Sequence, residues 1–107
     1  MDLQLCCLWQ PASEGARLVR VLGETPCPVL PPSLAGHTVA EIGPYCFAPV
    51  LRGVSGPVFA TMGSVTREFS DTAQALAALA LPEIAGSFVQ SIFLPAGVQQ
   101  LNNAAFY

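Results

Sequence analysis

The chain has 107 residues, of which 52% are hydrophobic and only 10% charged, where about 25% charged is usual. That length suits one small domain, residues 1–107, with a core of its own, and the composition speaks against disorder. The net charge is −3 and all four cations are arginine, so little is available to neutralise a run of phosphates, and no nucleic-acid partner is expected.

The first residues carry no Lys or Arg before Arg17, and their apolar run ends at Gln10, so no secretory signal is read. No stretch approaches the length of a membrane-spanning helix, Ala73–Ala80 being the longest candidate, so no membrane span is expected. Residues 2–9 read as a strand, with Leu3, Leu5 and Cys7 on one face and Gln4, Cys6 and Leu8 on the other. Pro11–Gly15 is a turn cluster, and residues 16–22 form a second β-rich strand. Arg17, Val19 and Val21 alternate there with Leu18, Arg20 and Leu22, and the two strands fit an antiparallel hairpin with a five-residue loop. Residues 1–27 are therefore read as an N-terminal hairpin.

From Gly23 to Gly36 the prolines at 26, 28, 31 and 32 forbid a long helix, and Val29–Leu30 is expected as a brief edge strand. Val58–Met62 and Val65–Phe69 are expected to pair across Gly63–Ser64. The one helix is expected over residues 72–80, capped by Asp71 with Gln74 three positions on, and ended by Pro82. Its body is almost wholly apolar, which predicts burial over much of its surface.

Two segments share a pattern. Val39-Ala40-Glu41-Ile42-Gly43-Pro44-Tyr45-Cys46-Phe47 reads V-x-x-I-G-x-x-x-F, and Val98-Gln99-Gln100-Leu101-Asn102-Asn103-Ala104-Ala105-Phe106 reads V-x-x-L-N-x-x-x-F, offset by 59 residues. Each follows an apolar stretch ending in proline, Val29–Pro32 in one and Ile92–Pro95 in the other. The physical reading is a coil in which a short extended segment is followed by a turn whose terminal Phe plugs the core, and such a coil needs a stacked neighbour. Ile42 with Phe47, and Leu101 with Phe106, would then fill equivalent interior positions.

These segments resemble units of BspA-like leucine-rich repeat proteins, "I-P-x-x-V-x-x-I-G-x-x-A-F". The resemblance covers residues 28–48 as a first unit and 88–107 as a second, with 49–87, helix included, as an insertion. It implies an α+β, mostly β fold in which the N-terminal hairpin leads into short solenoid coils. It also implies a non-enzymatic protein-binding or scaffolding module, often at a bacterial cell surface, with no cofactor. The absence of a signal favours the cytoplasm instead. Because the chain stops at Phe106–Tyr107, just after the core aromatic, its expected partner is a protein or the remainder of a longer repeat chain. Alternatively, Phe106 and Tyr107 form an interface through which two copies dimerise.

Other chemistry is weakly supported. The four cysteines, at 6, 7, 27 and 46, are expected as buried free thiols, since Cys27, His37 and Cys46 match no zinc spacing. A Cys–His site using Cys27 or Cys46 with His37 and Glu41, or a carboxylate pair among Glu41, Glu68 and Glu83, would make the chain a small enzyme or a regulatory subunit. His37 is expected as a solvated loop residue, and Glu41 should face solvent. With no lysine, a Walker loop is excluded. Trp9, Tyr45, Phe59, Phe88 and Tyr107 serve either as core or as a recognition surface, with Tyr107 the one most expected to be uncovered.

Overall fold

The computed structural model describes residues 5–13, 15–24, 27–43, 46–47, 54, 56–62, 65–85, 91–94, 96–98 and 100–101. The strands are β1 (Cys6–Ala12), β2 (Gly15–Leu22), β3 (Ser33–Leu34), β4 (His37–Ile42), β5 (Val58–Met62), β6 (Val65–Phe69) and β7 (Gln100–Leu101), with helix α1 (Thr72–Leu79) between β6 and β7. They form a curled, half-barrel mixed sheet in the order β3-β4-β2-β1-β5-β6. The outer edge of β4 is shared, with β3 on its His37–Thr38 end and β7 on its Glu41–Ile42 end.

The β1–β2 hairpin forms as the sequence indicates, but Pro11 and Ala12 continue the strand, paired with Ala16 and Gly15, so the turn is tighter than five residues. Proline is tolerated at the hairpin's tip because β1's other neighbour, β5, reaches only as far as Trp9. Between Leu8↔Arg20 and Trp9↔Leu18 the register slips by one, leaving Val19 without an opposite residue. That bulge overturns the simple alternation expected for residues 16–22. Ala16, Leu18 and Val21 join one core cluster, whereas Val19 and Leu22 join the other.

The centre of the sheet, β1 and β2, is therefore buried on both faces. Cys7 and Trp9 lie in the first cluster with Leu30, Leu34, Val39, Ile42, Cys46, Phe47 and Ile84. Cys6 and Leu8 lie in the second with Val58, Ala60, Phe69 and Ala75. The adjacent thiols do point to opposite faces. Gly15 is required where β2 begins, since its φ is +140° and a Cβ there would collide with the Thr38 carbonyl of β4.

The β5–β6 hairpin pairs Met62 with Val65 as expected. Helix α1 is capped as expected too. Asp71 Oδ1 accepts the Gln74 N–H at 2.7 Å, and Gln74 Oε1 accepts from the Ser70 N–H and hydroxyl at 2.8 and 2.7 Å. The reciprocal bond thus reaches one residue further back than in an ordinary capping box. Ala80 ends the helix in the left-handed region, φ 53°, with its N–H on the Leu76 carbonyl. The expected burial of α1 is not found, because only Ala75 is buried and the other alanines face solvent.

The solenoid expectation is overturned. In a repeat coil each rung stacks on the next, but here β4 pairs on one side with β2 of the N-terminal hairpin. Residues 49–87 are not an insertion outside the stack, since β5 pairs with β1 and β6 with β5, so both strands continue the same sheet. The two similar segments do meet. Glu41 pairs with Gln100 and Ile42 with Leu101 in parallel, at the offset of 59 that the sequence pattern showed. Val29 also bridges Phe93 in parallel. Ile42 and Phe47 are core residues, while Phe106 lies outside the described residues.

Candidate functional site: two apolar grooves on opposite faces

Most of the residues that carried candidate chemistry are engaged in the fold. Cys6, Cys7 and Cys46 are buried free thiols and Cys27 is a half-buried one. Burial pushes the Cys7 thiol up to about 12, with a smaller push from Cys6, and raises Cys46 still further. A thiol held protonated in this way is a poor nucleophile. His37 begins β4 and is exposed as expected, but its ring packs on Trp9 with centroids 5.2 Å apart. Glu41 is not free in solvent. It is half-buried and accepts from Arg17 Nε at 3.0 Å. Glu83 meets Arg20, and Glu68 sits on β6 opposite Phe59. The three carboxylates thus serve separate places, and among the described residues no three His, Cys, Asp or Glu side chains gather to hold a metal ion. Among those residues, too, no helix is long and apolar enough to cross a membrane.

Arg20 is the functional-looking residue that sequence reasoning passed over. It is 1% exposed, donates from Nε to Glu83 at 2.8 Å and from Nη1 to the Cys46 carbonyl at 3.1 Å. The bonds tie β2 to two segments that supply Cys46, Phe47 and Ile84 to the first cluster. A charged residue flanked by valines in a strand is the sequence sign that was available.

Of the aromatic set, Trp9 is core. It stacks on the half-buried Phe59 at 4.9 Å, and its indole N–H donates to Thr61 Oγ1 at 2.9 Å. Tyr45, Phe88 and Tyr107, and the proposed interface pair Phe106 and Tyr107, lie outside the described residues.

Two grooves remain. The first lies on the Trp9 face, holds about 270 Å³, and is lined by Leu5, Cys7, Val29, Pro31, Ser33, Leu34 and Thr61. Beside it Val29 is 65% exposed and its bridge partner Phe93 56% exposed, with Leu94 also exposed. This ridge is held rigidly, since the Leu30 N–H donates to the Phe93 carbonyl and the Phe93 N–H to the Pro28 carbonyl, both at 3.0 Å. The second groove lies on the opposite face, holds about 350 Å³, and is lined by Cys6, Ala60, Met62, Val65, Arg67 and Leu79. Strand parity explains the separation, because neighbouring residues of β5 and β6 point to opposite faces.

Comparison with protein-family models, with curated proteins and with solved structures finds no match for this chain.

Proposed function

We propose that the chain is a non-enzymatic protein-binding module, which receives one apolar side chain of its partner in the groove beside Val29. The carrying observation is the exposed Val29–Phe93 pair, two large apolar residues fixed side by side by backbone hydrogen bonds beside a groove whose apolar lining is broken by Ser33 and Thr61. Exposed apolar residues scattered singly are ordinary, but a fixed cluster beside a groove is the pattern of an interface centre. At about 270 Å³ the groove falls just below the usual size of small-molecule pockets and suits a single anchoring side chain.

Peptides selected from a random library on the immobilised protein test it. Val29 and Phe93 are exposed, so Val29→Asp and Phe93→Asp should fold normally while weakening the selected peptides at least tenfold. Arg67→Gln, on the other face, should leave them unchanged. Peptides that bind all three variants equally would remove the groove from the account. Concentration-dependent association in a sedimentation run, abolished by Phe93→Asp, would make a second copy of the chain the partner.

A further inference from the structure

The second groove carries a ligand chemistry of its own, independent of the protein-binding reading. Its lining is apolar except for Arg67, and its buried members, Cys6 and Ala60, are small side chains that leave the space open. Arg17 and Arg20 are ion-paired with Glu41 and Glu83, whereas no ion pair holds Arg67 among the described residues. Instead its guanidinium lies over the Phe69 ring, 5.1 Å from the centroid. A cation–π contact of this kind is made to the ring and uses none of the carboxylate-type hydrogen bonds of the guanidinium, so its N–H groups remain available to a carboxylate.

The neighbouring acids are placed where they do not compete. Glu68 follows Arg67 on β6 and so projects from the opposite face, where it lies opposite Phe59. The carboxylate of Asp71 is engaged as the cap of α1. An anion arriving beside Arg67 thus meets one cation and an apolar surface made by Met62, Val65 and Leu79. The volume, about 350 Å³, accommodates about ten methylene-sized groups if each takes about the 30 Å³ of a water molecule.

We propose that the groove between the β5–β6 hairpin and α1 binds an amphipathic monocarboxylate, its chain lying along Met62, Val65 and Leu79 and its carboxylate on Arg67. Desolvating an exposed Val65, 60% accessible in the free chain, adds apolar burial to the charge-assisted hydrogen bonds.

Decanoate below its micelle threshold is the probe, and decanol, with the same chain and no charge, is the comparison. Amide shifts followed by NMR should move at Cys6, Ala60, Met62, Val65 and Leu79, and decanoate should bind more tightly than decanol. Arg67→Gln should weaken decanoate about tenfold and leave decanol unchanged. Val65→Glu, at an exposed position that does not endanger folding, should weaken decanoate at least as much by placing a second carboxylate in the lining. Equal affinity for the two ligands, unchanged decanoate binding in Arg67→Gln, shifts gathered at Cys7, Leu34 and Thr61 on the other face, or no saturable binding at all would each overturn the proposal. A protein that fails here while its selected peptides still depend on Val29 and Phe93 would lose this site and keep the other.

Discussion

One face of the sheet is covered by chain segments that bring large side chains, two of them bonded to a buried arginine of β2. The other is covered by a short, alanine-rich helix. On the first face Leu30, Leu34, Phe47 and Ile84 close over Cys7, Leu18 and Ile42, and Arg20 holds two of the covering segments down. On the second, α1 buries only Ala75 and leaves Leu76 and Leu79 half-exposed. The difference shows how side-chain size decides whether a covered face is also a closed one. Small side chains bring the helix to the sheet without filling the space between, and the larger groove remains there.

The largest effect that separates the faces is alkaline. An ordinary thiol titrates near 9.0, but Cys7, in the first cluster, is pushed up to about 12 by burial. Between those values the unfolded chain has released the proton and the folded chain still holds it. The stabilisation is therefore complete below about pH 9 and is lost as pH rises towards 12. For Cys7 alone the loss reaches about 4 kcal/mol over that window. Cys46 acts in the same direction, as does Cys6 on the helix side, where burial also raises the thiol. Urea midpoints should hold up to about pH 9 and fall between there and pH 11, and Cys7→Ala should flatten that fall more than Cys6→Ala does. Equal flattening would mean that the two faces are sealed to the same degree.

A smaller effect is expected at Arg20. Replacing it with Ala removes the bond to the Cys46 carbonyl and opens a cavity at a residue only 1% exposed, costing about 3 kcal/mol. Glu83 remains 41% exposed and can be rehydrated, so the stranded charge adds little. Arg20→Met keeps most of the volume and should recover more than half of the loss. Chemical denaturation of the three proteins measures this. A cost below about 1 kcal/mol for Arg20→Ala would show that Phe47 and Ile84 pack without the clamp.

What could be seen in the sequence was local or periodic. Asp71 with Gln74 announced the start of α1, and the β-rich runs on either side of Gly63–Ser64 announced the β5–β6 hairpin. The recurrence of V-x-x-I/L identified Ile42 and Leu101 as equivalents, and they pair at that offset. The solenoid did not follow, because the pattern fixes which residues match but not what else pairs with them. The partnership of β4 with β2 and of β1 with β5 depends on contacts that no short-range signal announces. The bulge at Val19 was hidden for a related reason, since alternation in one strand says nothing about a slip against its partner. As for the sites, Val29 was legible as an edge residue, but its exposure beside Phe93 arises only in the fold. Arg67 gave no signal until parity separated it from Glu68.

The smallest effect belongs to the helix cap and bears on the weaker of the two coverings. Asp71 supplies one carboxylate oxygen to the Gln74 N–H, and no acidic residue in the first turn or basic residue in the last adds to it. A lost cap costs about 1 kcal/mol, so Asp71→Ala should lower the urea midpoint modestly, and Asp71→Asn less, since an amide oxygen still accepts. Leu79 lines the second groove from the far end of the same helix. Fraying begins at the capped end and must cross two turns to reach it, so decanoate binding should survive Asp71→Ala with less than a threefold change. A loss of several kcal/mol, or of binding altogether, would instead mark α1 as a cooperative part of the core and not a covering laid on it.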